Sequence, residues 1–441
     1  MYVNNAQALQ RWIIQFHINT LIGLYKKKYF SEAINKLDHI LGKYKNIPLI
    51  YNIGGIIHIS LERYKDSIFY FSKSLELNPN FVEANNNMGV ALKSLGRFEE
   101  SVNYFRKAIN LNIKYANAYN NLGSSLNELG KWEEALNNFN KALELNPNHK
   151  DASENLIKLL TFYDPKEKYS NSIIKTNFLL KLNKFNFNFE KKITDKQITK
   201  YFEESNDILI KNLGKTNFNL SQIYRRNTLD LNCKRHFEVF NKFNVIPKFC
   251  FSCYKIEVKP KTIIDLIKLY LVFDSFKVKK NNTRKCLVEL RPKMGGSYKG
   301  LIYCVGLNEA KEIIKFLSPI LKNTIGENIS ISIRRGCSEF SVSYPKFKEV
   351  NGSMEYNQEW KNKEKIIDDQ LLVNKQKVVK DSLFGMTIND ILIIQNWLMY
   401  AKKIGDTSYK KFNAEIEISS FMEKEFSSQL DHRRKEFVKF N

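Results

Sequence analysis

FVEANNNMGVALKSLGRFEESVNYFRKAINLN, residues 81–112, and YANAYNNLGSSLNELGKWEEALNNFNKALELN, residues 115–146, align at a shift of 34 residues. Gly55, Gly89 and Gly123 fall on the same shift, as do Ser74, Ala108 and Ala142, and Phe71, Phe105 and Phe139. A constant interval of this size marks stacked helix-turn-helix units, because a single hairpin cannot bury its own apolar face and needs its neighbour to cover it. Each repeated position then has a packing role. The glycines let the first helix of a hairpin, helix A, approach the second, helix B, and Ser74, Ala108 and Ala142 allow helix B to approach the next unit. Gly96 and Gly130 predict left-handed caps at the ends of two A helices, and Tyr64, Phe98 and Trp132 are placed to fill the turn that follows. Asn78-Pro79 and Asn146-Pro147 stop helix B before the next unit starts.

The units run from 48 to 81, 82 to 115 and 116 to 149, and a degenerate one fits 14 to 47. In this pattern the chain resembles the tetratricopeptide repeat family. The resemblance implies an all-α solenoid over 14–163, with about four repeats and Lys150 to Tyr163 as a polar capping helix. It also implies a concave groove, lined by helix A, that holds another protein or a peptide. That helix carries Asn52, Asn86, Asn87, Asn117, Asn120 and Asn121. By the resemblance, amides here clamp the backbone of an extended peptide, since one amide both donates and accepts. Asn87 and Asn121 would equally serve to tie adjacent helices together.

At 441 residues the chain exceeds what one hydrophobic core organises, so a multidomain architecture is expected. Lys and Arg exceed Asp and Glu by 24, but only 5 of that excess lies in residues 1–163 and 19 lies beyond. Such a field favours a polyanionic partner for the second half, with nucleic acid, RNA in particular, ahead of anionic lipid. Six irregularly spaced cysteines do not make a disulfide scaffold and fit a reducing, cytoplasmic setting. Arg11, His17 and the Lys26-Lys27-Lys28 run exclude a secretory signal at the start, and the apolar stretches near 263–276 and 391–400 are too short for a membrane span.

After Asp164 the period breaks. Helices are expected over Ser170 to Leu182, Thr194 to Leu213 and Asp230 to Asn244, so 164–250 reads as a helical connector. Tyr254 to Val258 alternates as a strand, Thr262 to Phe276 is helical, Cys286 to Arg291 and Leu301 to Val305 are strands, Asn308 to Lys322 is a helix, and Ile329 to Ile333 alternates again. The order β-α-β-β-α-β over 251–345 predicts an α+β domain of ferredoxin-like type with extra helices. Residues 346–441 read as a charged loop followed by helices over Ile388 to Lys403 and Ile416 to Phe440.

Three constellations carry chemistry. Cys233-x2-His236 and Cys250-x2-Cys253 have the spacing of a structural zinc site, each pair on one turn and the pairs free to converge. The loop Arg291-Pro292-Lys293-Met294-Gly295-Gly296-Ser297-Tyr298-Lys299-Gly300 offers cations and close backbone approach to a phosphate, with Arg291, Lys293 and Lys299 as ligands. Lys299 to Val305 resembles the third-strand motif of RNA-recognition modules, although Leu301 stands where a stacking aromatic is expected. At the last strand, Arg334 and Arg335 could grip a phosphate or carboxylate beside Cys337. The alternative is an enzyme, of transferase or nucleic-acid-modifying type, whose repeats recruit a protein substrate and whose chemistry uses Cys337, Arg334, Arg335, Arg291 and Glu289. Large glycosyltransferases that join similar repeats to a catalytic half are the likeness here. No phosphate-binding P-loop, dinucleotide fingerprint, nucleophile elbow or His-Glu-x2-His motif is present.

Overall fold

The computed structural model describes residues 2–440 except 167–170, 187, 189–190, 217–218, 226–232, 279–281, 292–293, 351–353, 371–377, 379 and 414–418. The chain divides into two compact units, Met1–Leu156 and Ile157–Asn441. Among the described residues no helix is long and apolar enough to cross a membrane.

The first unit is a run of helical hairpins. Helices α1 (Tyr2–Lys26) and α2 (Phe30–Lys43) form the first, α3 (Pro48–Ser60) and α4 (Tyr64–Leu77) the second, α5 (Val82–Ser94) and α6 (Phe98–Leu111) the third, and α7 (Ala116–Glu128) and α8 (Trp132–Leu145) the fourth. Helix α9 (Lys150–Leu159) follows. The glycine spacing is explained by what each glycine faces. A Cβ at Gly55 would lie 2.3 Å from the Phe71 ring, one at Gly89 2.6 Å from Phe105, and one at Gly123 2.8 Å from Phe139. Each of these rings is 1% exposed or less. The aromatic fills the space that the missing side chain leaves, so neither position can change alone.

The turn between helix A and helix B is left-handed in every hairpin, at Lys28 (φ 62°), Glu62 (φ 58°), Gly96 (φ 75°) and Gly130 (φ 74°), again 34 residues apart. In the first two hairpins a residue with a side chain adopts it, in a turn closed by backbone hydrogen bonds from Tyr29 N to Leu24 O and from Arg63 N to His58 O. The degenerate unit 14–47 thus keeps the repeat geometry without the glycine. Adjacent hairpins are pinned by polar contacts as well, such as the buried pair of Ser101 Oγ and Ser125 Oγ, 2.8 Å apart between α6 and α7.

The second unit is built on a five-stranded antiparallel sheet. Helices α10 (Ser172–Leu182) and α11 (Asp195–Leu213) lead to β1 (Gln222–Arg225), then α12 (Cys233–Phe243) and the short α13 (Lys248–Ser252). Next come β2 (Cys253–Lys259), α14 (Ile263–Ser275), β3 (Arg284–Val288), β4 (Tyr298–Val305), α15 (Leu307–Thr324) and β5 (Ser330–Arg335). The remaining α-helices are α16 (Ser338–Ser343), α17 (Gln358–Gln370), α18 (Ile388–Ile404), α19 (Ser420–Ser427) and α20 (Leu430–Phe440). The strand order is β1-β3-β4-β2-β5. The sequence reading placed no strand before Tyr254, because β1 spans only four residues and its pairing with β3 supplies what so short an alternation cannot. The stretch over 346–380, read as a charged loop, contains α17, whose Glu364 and Asp368 bind Arg235 of α12.

Register assigns the two sheet faces. Ile256 opposes Ile302, Val258 opposes Gly300, and Ile256 opposes Ile333, so these residues share one face. On this face α14 packs closely, since a Cβ at Gly300 would meet Leu269 at 2.4 Å. Arg284, 1% exposed, also lies here and donates to the carbonyl of Phe273 at 2.5 Å and to that of Phe276, satisfying the C-terminal end of α14. The opposite face carries Lys255, Glu257, Lys285, Lys299, Tyr303 and Arg334.

Candidate functional site

Two places gather polar side chains that packing alone does not require. One is the row of A helices in the first unit, and the other is the charged sheet face of the second.

The A helices are linked by an amide ladder. Asn87 Nδ2 donates to Asn52 Oδ1 at 3.0 Å, Asn121 Nδ2 to Asn86 Oδ1 at 2.9 Å, and Asn155 Nδ2 to Asn120 Oδ1 at 2.9 Å. Every rung joins residues 35 apart, which sets successive A helices side by side. Asn117 Oδ1 is bonded to His149 Nε2 at 3.0 Å. Tying helices together is therefore one thing these amides do. Each rung uses a single carbonyl and one of the two protons of an amide, so bonding capacity remains on the half-buried Asn87 and Asn121 and the exposed Asn117. Asn155 was missed by the sequence reading, although it lies one 34-residue step beyond Asn121. Lys93, on α5, reaches Ser124 Oγ at 3.4 Å; burial lowers its pKa, with Glu128 and Asp151 opposing.

On the sheet face of the second unit three of the predicted anion ligands, Arg291, Lys299 and Arg334, have carboxylate partners inside the protein. Glu289, 1% exposed, accepts from Arg291 Nε and Nη2, both at 2.7 Å, and from Lys299 Nζ at 2.8 Å. Arg291 also binds Glu339. Arg334 Nη1 donates to Glu257 Oε1 at 2.9 Å. Arg335, one residue on, points to the other face, where its guanidinium sits 5.1 Å from the Phe251 ring and 5.3 Å from Phe347. Adjacent strand residues alternate faces, so Arg334 and Arg335 cannot grip one anion together. Lys293 lies outside the described residues. Tyr254 and Tyr303 fall on opposite faces for the same reason, and both are buried.

Burial alone would raise the Glu289 carboxyl, but hydrogen bonds and charge from Arg291 and Lys299 outweigh it and hold the group at about 2. A carboxyl depressed in the folded state contributes stability above its unfolded value and loses it as pH falls toward the folded one. The unit is thus expected to weaken between about pH 4.5 and pH 2, and Glu289→Gln to flatten that part of the profile, as read by urea midpoints across the range. An equally steep acid loss in the variant would contradict the assignment.

Of the four proposed zinc ligands, Cys250 and Cys253 fall in different packing clusters. Cys250 packs with Cys337, Phe340 and Phe347, whereas Cys253 packs with Leu287, Leu301 and Tyr303 on the sheet face. His236 is buried and stacks on Phe249 with ring centroids 5.3 Å apart. Burial pushes the Cys250 thiol far up and that of Cys253 up to about 12. Among the described residues no group of three or more His, Cys, Asp or Glu is placed to hold a metal ion. Elemental analysis of the purified chain tests zinc at Cys233, His236, Cys250 and Cys253 directly.

Tetratricopeptide repeat family models match residues 116–149 and, in a second version, residues 47–81 and 82–112. No curated protein compared with the chain matches it. Similar solved structures include MamA, 22% identical, covering 31% of this chain and 80% of that one with a TM-score of 0.29. PilF of Pseudomonas aeruginosa is 20% identical, covering 33% of this chain and 67% of that one at a TM-score of 0.32. The first tetratricopeptide repeat of Spaghetti (RPAP3), solved with an HSP90 peptide, is 27% identical and covers 25% of this chain and 89% of that one at a TM-score of 0.25.

Proposed function

Starting from residues 47–149 as tetratricopeptide repeats, we propose that the first unit holds an extended segment of a partner protein through its backbone, along the row of A helices. The observation that carries this reading is the amide ladder. It sets Asn87 and Asn121 at corresponding points of consecutive hairpins, each fixed by its rung and each with bonding capacity to spare. A series of such groups suits the repeating donors and acceptors of an extended chain, and it favours backbone over side-chain recognition. Fixing the amides before binding also lowers the entropy lost on association.

The test is a set of peptides selected for binding to the full chain, compared with copies N-methylated at single positions. N-methylation removes one backbone donor while leaving side chains in place, and is expected to weaken binding about tenfold at two or more positions, roughly one net hydrogen bond each. Single alanine changes in the same peptides should matter less. Peptides indifferent to N-methylation, or binding unchanged in Asn87→Ala and Asn121→Ala chains that remain folded, would refute the reading.

A further inference from the structure

The charged sheet face of the second unit divides into a paired and an unpaired half. In the paired half, Lys299, Arg291 and Arg334 each meet a carboxylate. In the other half lie Lys255 on β2 and Lys285 on β3, and neither forms an ion pair among the described residues. Lys255, 9% exposed, donates to Cys337 Sγ at 3.1 Å, and sulfur is a weak acceptor. The hydrogen bond of Lys285 is to Gln222 Oε1, at 3.3 Å.

Both ammonium groups converge on one ring. Lys255 Nζ is 5.0 Å from the centroid of Tyr303 and Lys285 Nζ is 5.9 Å from it. Cation–π contact offsets only part of the cost of removing an ammonium from water, and two like charges over one ring repel each other. Within the same face Glu289 and Glu257 meet cations, yet among the described residues no carboxylate pairs with these two. Burial lowers the pKa of Lys285 to about 8, with Lys255 and Arg291 adding to it and Cys337 and Glu289 opposing, whereas at Lys255 burial is outweighed by charge from Tyr303, Cys337 and Cys253, which raises it. The edge strand gives access, because Tyr224, next to Lys285 and 5.6 Å from its Nζ, is 47% exposed.

We propose that Lys255 and Lys285 form a site for a dianionic oxyanion, the phosphate group of a small molecule, with Tyr303 as its floor and Tyr224 at its mouth. Two ammonium groups match the double charge of a phosphate monoester, and the burial of Lys255 restricts the site to a ligand that can enter the sheet face rather than lie across it. This site is independent of the groove in the first unit.

The experiment is titration of the full chain with inorganic phosphate, glycerol phosphate, acetate and a short single-stranded oligonucleotide, followed by calorimetry. Saturable binding of phosphate or the phosphomonoester is expected, weakened at least tenfold in Lys255→Met and in Lys285→Met and unchanged in Lys311→Met, an exposed control on α15. A second measurement works on the unmutated protein. Limited acetylation read by mass spectrometry should modify Lys285 early, and phosphate should protect it. Absence of saturable phosphate binding, failure of phosphate to protect Lys285, or binding in both folded variants equal to that of the unmutated chain would overturn the proposal. Tighter binding of acetate would remove the dianion assignment, and tighter binding of the oligonucleotide would replace a small molecule with nucleic acid.

Discussion

Asp390→Ala is expected to destabilise the second unit by about 3–5 kcal/mol, the loss that follows when one member of a buried ion pair is removed. Arg225 on β1, 3% exposed, makes a two-pronged contact with Asp390 on α18 at 3.1 and 2.7 Å. Its Nε donates to Asp274 on α14 at 2.5 Å and its Nη2 to the Tyr270 hydroxyl at 2.7 Å. One guanidinium therefore joins the edge strand to two helices. Asp390 also accepts from the Thr387 amide at 2.8 Å and the Thr387 hydroxyl at 2.7 Å, which closes the first turn of α18. Truncating it leaves Arg225 its contact with Asp274 but removes its two-pronged partner, and it uncaps a helix whose Trp397 and Tyr400 are buried in the core. The charge explanation makes a sharper demand than the magnitude. Arg225→Met and Asp390→Ala together should cost less than the sum of their separate losses, because both remove the same contact. Hydrogen exchange across α18, which separates this unit from the repeats, is the measurement. A loss below about 1 kcal/mol, or strict additivity in the double variant, would show that the network is not what holds β1 to the helices.

The second large effect lies in the repeats. Phe105→Ala is expected to cost about 3–5 kcal/mol, since the ring is fully buried and its hairpin has nothing else to fill the space. Gly89→Leu should cost about 1–3 kcal/mol or more, because its Cβ alone would come within 2.6 Å of that ring. The two changes address one volume from opposite sides. Combined, they should be less damaging than their separate losses together, with the leucine occupying part of the space vacated by the ring. Hydrogen exchange of α5 and α6 in the four proteins reads the cycle. Strict additivity would mean that the repeated glycine and the repeated aromatic do not contact each other in solution.

Legibility differed between the halves for a physical reason that these residues illustrate. Gly89 and Phe105 are 16 positions apart on one hairpin, and the chain repeats the pair every 34 residues, so contact and period appear together in the sequence. Asn87 and Asn52 were recognised as a series on helix A, but the rungs between them became visible only when the helices stood side by side. In the second unit the helix periods and strand alternation placed most elements, while β1 was too short to announce itself. The loop cations Arg291 and Lys299 read as ligands for a foreign anion, and Glu289 as a member of a reacting set, because only the folded sheet shows that this carboxylate meets both cations.

The sequence by itself determined the solenoid, its period and the residue types at each contact, since every interaction that defines a repeat joins positions close along the chain. Only the tertiary structure decided which basic residues are satisfied and which are not. Lys255 meets Cys337 across 82 residues and shares Tyr303 with Lys285, whereas Lys299 finds Glu289 ten residues away. Strand register sets those neighbours, and a slip of one residue would send every side chain to the other face.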